Sequence, residues 1–228
     1  LEAVGGAFAE IRGGSFRSGF LAAGFSSAVA PLAPSGDAWR AAAFHAAAGG
    51  VGSVLGGGKF ADGAVTGAFA YLFNDALDDV ARARRQAAGD AARAIDRVDE
   101  LIKALDDVNG DYRKLDEETR GDVVKILRLA GDYSDPRLTL TLFRETIVSV
   151  RDGLVSGKVE YRFEGNCPGT SPVACTDGSS FIDFTDQFFA ASPSEQANTL
   201  FHEFTHISTP LLDPFVGDFT DTVYSLID

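Results

Sequence analysis

The sequence has no methionine, two cysteines, three histidines and one tryptophan in 228 residues. With no methionine even at its first position, it is expected to be a piece of a longer polypeptide. Two cysteines are too few for a disulfide-dense scaffold or an all-cysteine zinc site. Basic residues are scarce as well: 20 Lys and Arg face 33 Asp and Glu, for a net charge of −13. That balance excludes the nucleic-acid backbone and the anionic membrane surface as principal partners, since both select for positive charge. Long unbroken apolar runs are also missing. Residues 18–36 and 41–58 carry no Asp, Glu, Lys or Arg and approach the length of a membrane helix. However, Pro31, Pro34, Gly49, Gly50 and Gly52 interrupt them, and alanine supplies most of their apolar content. No basic stretch leads into an apolar run with a cleavage site, so no signal peptide is visible. What the chain does have is 45% apolar and 11% aromatic residues, enough for a core and too much for global disorder.

Charge and glycine are unevenly spread. Residues 1–74 hold four basic and four acidic side chains, so the whole net charge lies in 75–228. The same first third holds 15 of the 25 glycines and 19 alanines, which puts a domain boundary near Asn74. The run Gly56-Gly57-Gly58-Lys59 is not a phosphate loop. Ser53 stands where the first glycine belongs, and Phe60 follows the lysine in place of Ser or Thr.

The stretch Gly56-Gly57-Gly58-Lys59-Phe60-Ala61-Asp62-Gly63-Ala64-Val65-Thr66-Gly67-Ala68-Phe69, ending in Tyr71-Leu72-Phe73-Asn74, resembles the segment just before the variable toxin tip of large bacterial Rhs-type and haemagglutinin-type secreted proteins. The repeated Ser18-Gly19-Phe20 and Ala23-Gly24-Phe25 upstream has the same character. The resemblance covers roughly residues 13–74. It implies that 75–228 is an effector domain carried by a large secretion scaffold upstream in the same chain, secreted or delivered into a target cell, with a cognate immunity protein as partner.

From Asp75 the pattern becomes helical. Ala87, Ala91, Ala94, Val98, Leu101, Leu105 and Val108 recur at three- and four-residue steps, and Asn109-Gly110 supplies a stop. A second helix is expected over about 116–129 and a third over about 138–154, where the β-branched residues near Ile147 keep a strand as an alternative. Residues 158–163 alternate as a half-buried strand, and Phe181–Phe184 reads as another. The expectation is therefore a mainly helical α+β domain: helices over 75–156, then a small sheet and a further helix over 157–228. Cys167 and Cys175 lie in the loop between the two strands. With no CxxC and no histidine near them in sequence, a disulfide is preferred over a metal site or a catalytic thiol, and it points to an oxidising compartment.

The chemistry sits on the last predicted helix. Ser192-Pro193-Ser194-Glu195 is a capping box with proline at the first helical position. The helix then carries His202-Glu203-Phe204-Thr205-His206, the HExxH pattern, which uses two of the three histidines. Residues four apart leave the same helix face, so both imidazoles can bind one Zn²⁺, and Glu203 is placed to take a proton from water. No Glu follows Glu203 and no His follows His206, so the simplest third ligand is an aspartate: Asp213, Asp218, Asp221 or Asp228.

His202-Glu203-Phe204-Thr205-His206 with Gly217, Thr220, Asp221 and Tyr224 resembles the aspzincins, the deuterolysin and lysine-specific metalloendopeptidase family, over about residues 140–228. The resemblance implies a zincin-like fold, Zn²⁺ as cofactor, His202, His206 and Asp221 as ligands, Glu203 as general base and Tyr224 as an oxyanion donor. Gly217 lies four residues before Asp221, so the family's Gly-Thr-x-Asp spacing is not kept, and Asp218 is a rival ligand. The expected function is a zinc endopeptidase toxin acting on a protein or peptide. Two other readings compete with it. One is a non-catalytic binding domain stabilised by zinc. The other is a membrane-active segment, residues 1–74, carrying inert cargo.

Overall fold

The structure, a computed structural model, describes residues 6, 7, 9, 10, 13–29, 32, 38–163, 165, 167, 173–209 and 216–227. Among these, eight α-helices and a small three-stranded mixed sheet make a mainly helical α+β protein. The chain divides into two compact units, Leu1–Asp78 and Asp79–Asp228. The composition break near Asn74 falls just short of that division.

In the first unit, α1 (Phe16–Ala28) starts at Ser15, whose Oγ accepts from the Ser18 amide, and α2 (Ala38–Leu55) follows. The stretches that look broken by glycine in the sequence are thus helical over most of their length. The glycines serve close approach between helices. A Cβ at Gly49 would lie 2.4 Å from the Gly63 carbonyl oxygen, and one at Gly63 would lie 2.3 Å from the Gly49 oxygen. Two helix backbones therefore touch where no side chain fits. Among the described residues no helix is long and apolar enough to cross a membrane.

Helix α3 (Phe60–Asp107) begins in the first unit and continues into the second. Its buried face runs Val80, Ala83, Ala87, Ala91, Ala94, Val98, Leu101 and Leu105, the three- and four-residue steps of an amphipathic helix. Gly89 is exposed on the opposite side and does not interrupt it. The helix stops where Asn109 and Gly110 turn left-handed, at φ of 55° and 80°. Helix α4 (Glu117–Ala130) is capped by Asp116 and ends at left-handed Gly131. Helix α5 (Pro136–Ser156) is capped by Asp135 and spans the segment where a strand was the alternative. The helix prevails there because Leu140, Phe143, Ile147, Val150 and Leu154 form one stripe buried in the same core as α3 and α4. Arg97 bridges to Asp122 of α4 at 2.7 Å, and Arg144 of α5 donates to Asp99 of α3 at 2.6 Å. Such pairs contribute at most about 1 kcal/mol each, so apolar burial carries the packing.

The sheet follows. Strand β1 is Glu160–Arg162, β2 is Ala174–Thr176 and β3 is Phe181–Phe184. Strand β3 lies in the middle, parallel to β1 with Tyr161 opposite Ile182, and antiparallel to β2 with Cys175 opposite Asp183. Ile182 and Phe184 enter the core. Asp183 is also buried, and its Oδ1 accepts from the Gly165 amide at 3.1 Å. Cys167 and Cys175 are disulfide-bonded, with Cα atoms 5.6 Å apart, which ties the β1–β2 loop to the outer strand. The short helix α6 (Asp186–Ala190) packs Phe188 against Phe184 at 4.4 Å between ring centroids. Helix α7 (Pro193–Ser208) and helix α8 (Val216–Tyr224) complete the second unit.

Candidate metal centre

Helix α7 is fixed at its start and along its length. The Ser192 amide donates to the Glu195 carboxylate at 2.8 Å and the Glu195 amide donates to Ser192 Oγ at 3.3 Å, closing the capping box. One turn on, Gln196 Nε2 donates to the Phe188 carbonyl at 2.9 Å, tying α7 to α6. Leu200, Phe201 and Phe204 are fully buried. At the C-terminal end α5 passes close by, since a Cβ at Gly153 would meet Ser208 Oγ at 2.8 Å and Phe204 Cδ1 at 3.2 Å.

On this helix His202 and His206 converge. Their Nε2 atoms are 3.3 Å apart, with the rings at 74° to each other. Two imidazoles on one tetrahedral zinc, each at about 2.0–2.1 Å, place their nitrogens roughly 3.3–3.4 Å apart. The pair therefore has the separation that a shared zinc requires. The same separation lies within hydrogen-bond range, one neutral ring donating to the other. Burial, and next the neighbouring His206, hold the His202 pKa below its ordinary value, while Asp221 pulls the other way. The net effect keeps His202 neutral near pH 7, the form that binds a metal.

Glu203 is 7% exposed. Burial pushes its carboxyl up to about 7, against the opposing pull of His206. A carboxyl that titrates near neutrality and sits beside the imidazole pair is suited to proton transfer.

The remaining candidates come from α8. Phe219 anchors that helix against Phe143 and Phe201, at 5.1 and 6.2 Å between ring centroids. Asp221 and Tyr224 lie one turn apart on it. Asp221 is exposed and close enough to act on the charge of His202, whereas Asp218, also exposed, exerts no such influence. Tyr224 packs edge-on to Phe201 at 5.8 Å, so its ring belongs to the core. The structure thus brings the His202 and His206 rings together, and Asp221 acts on the charge of His202. Among the described residues no three His, Cys, Asp or Glu side chains gather closely enough to hold a metal. Asp213 and Asp228 lie outside the described residues. Two of the donor positions thus fit zinc, and the third is not closed.

Sequence reasoning missed a cleft on the same helix. A cleft of about 430 Å³ lies against the first half of α7, lined by Val173, Ala191, Glu195, Asn198 and Thr199. Asn198 is four residues before His202, so the two share a helix face. That spacing was the available signal. Strand β2, which begins beside Val173, lies inside a loop rich in Asn, Pro, Gly and Thr and has no alternation of its own.

The chain matches no family model, no curated protein and no solved structure.

Proposed function

We propose that the second unit is a zinc-dependent endopeptidase of zincin-like fold, employed as a secreted bacterial toxin. The observation that carries this reading is the 3.3 Å separation of the His202 and His206 Nε2 atoms, with buried Glu203 between them on a capped helix. His202 and His206 would hold the zinc, with Asp221 as the third ligand. Held by these residues, a zinc ion would supply a Lewis acid for the scissile carbonyl and would lower the pKa of water to near 7. Glu203 accepts the proton of the attacking water and passes it to the departing amine. Tyr224 donates a hydrogen bond to the oxygen that gains charge, a role whose loss costs about 3–4 kcal/mol in comparable sites. The toxin role, the upstream scaffold and an immunity partner rest on the resemblance of residues 13–74 to pre-toxin segments.

The test is hydrolysis of casein by the zinc-loaded chain. Cleavage that stops with a chelator and returns with added zinc supports the proposal. Zinc bound at one equivalent with no cleavage of casein or of a random peptide pool supports the non-catalytic zinc domain in its place.

A further inference from the structure

We infer that the α1–α2 hairpin and the start of α3 lodge in one leaflet of an electrically neutral lipid membrane without spanning it. The polarity of this unit is reversed. Of 17 large apolar side chains exposed among the described residues, 13 lie before residue 79, including Phe16, Phe20 and Phe25 on α1 and Val54 and Leu55 on α2. Its interior is small and polar. Ser18, Ser26, His45, Ser53 and Thr66 are all at most 4% exposed.

Those buried polar groups are satisfied inside the unit. Ser26 Oγ and His45 Nδ1 lie 2.7 Å apart across α1 and α2, and Tyr71 of α3 stacks on His45 at 4.4 Å. Ser18 donates to the Ser15 carbonyl, Ser53 to that of Lys59 and Thr66 to that of Asp62, at 2.8–3.0 Å. The helices meet through glycine: Gly49 with Gly63 and Gly67, and Gly52 with the backbone of α1 at Leu21 and Ala22. Small residues and internal hydrogen bonds at the seam, with large apolar groups outside, are the packing that helices adopt in lipid. In water the hydrophobic effect drives the opposite arrangement.

Charge at both ends of the hairpin holds it along the interface, and net charge selects the lipid. Arg40, exposed near the start of α2, lies at the far end of the hairpin, while Arg17, Lys59 and Asp62 sit at helix starts and, with Gly56 and Gly58 against Ser18, share the other end. Beyond them α1 is uncharged, and its 13 residues measure about 20 Å, short of the ~30 Å hydrocarbon core. The first third has no net charge and the remainder carries −13, so anionic lipid offers no gain.

The experiment is flotation of the full chain with phosphatidylcholine vesicles. Most of the protein is expected in the vesicle fraction, with no increase when anionic lipid is added. Replacing Phe16, Phe20 and Phe25 by serine together lowers the floated fraction at least fivefold. Circular dichroism should show unchanged helicity, because these rings are exposed. Val54→Ser with Leu55→Ser is a second, independent variant with the same expected direction. Glu203→Gln should float like the unaltered chain, which separates this outcome from any failure of the peptidase reading. Absence from phosphatidylcholine vesicles, flotation that requires anionic lipid, flotation unchanged in both serine variants, or self-association in place of vesicle binding overturns the inference.

Discussion

The glycine at which α5 meets the HExxH helix permits a calculation with a sign. Replacing a helical glycine by alanine gains about 0.8–1.0 kcal/mol from backbone propensity wherever the methyl has room. Gly89 has room, since nothing lies within 4 Å of its added Cβ, so Gly89→Ala should stabilise by that amount. At Gly153 the same methyl meets Ser208 Oγ at 2.8 Å and Phe204 Cδ1 at 3.2 Å. The serine hydroxyl can rotate away, but the Phe204 ring is fully buried and must shift. Overpacking of this kind costs about 1–3 kcal/mol. The propensity gain is common to both variants, so their difference isolates the packing cost, about 1–3 kcal/mol in favour of Gly89→Ala. For a unit of this size that corresponds to a gap of roughly 2–12 °C in Tm. Urea unfolding followed by far-ultraviolet circular dichroism measures it. If Gly153→Ala stabilises as much as Gly89→Ala, then α5 does not press on the helix that carries the imidazole pair, and the account of how that helix is held is wrong.

Three further outcomes follow from the same structure. Reducing the Cys167–Cys175 bond, which closes a short loop with a sequence separation of 8, should cost about 2–3 kcal/mol, read as a lower Tm in dithiothreitol. Ser192→Ala removes the hydroxyl half of the capping box and should cost about 1 kcal/mol in urea. Asp116, Asp132 and Asp177 have pKa values held below the ordinary value of 3.8 by hydrogen bonds from Thr119, Ser134 and Ser180 respectively. Groups depressed on folding contribute stability above the unfolded pKa and lose it as pH falls through the folded pKa. Below about pH 4 the urea midpoint should therefore decline, and a midpoint that rises from pH 4 downward contradicts this; between pH 7 and 4.5 the raised Glu203 carboxyl acts in the opposite sense, since it is stabilised by protonation.

The parts of the fold that the sequence reveals are those where local signals and tertiary packing agree. The buried stripe of α3 from Ala87 to Leu105, the stop at Asn109-Gly110 and the start at Ser192 need no knowledge of partners. Strand β2 was hidden because its pairing with β3 is long-range and its own residues carry no alternation. Helix α8 was hidden because it is nine residues long and its anchors, Phe143 and Phe201, lie on other elements. The helices of the first unit were obscured for a different reason. Glycine reads as a breaker when a helix is considered alone, and as a contact surface once a second helix lies against it. At the candidate centre, the i, i+4 pair was legible because one helix sets its geometry, and the third ligand was not because it depends on where another element comes to rest.

The account turns on whether Glu203 performs chemistry at a zinc held by its neighbours. The most direct measurement takes Glu203→Gln and the unaltered chain through metal analysis and casein digestion side by side. The account predicts one zinc in each, with cleavage reduced at least a thousandfold in the glutamine variant, the order of effect at which a proton-transfer group is removed. Full cleavage by Glu203→Gln, or a chain that cleaves with no zinc bound, would contradict it.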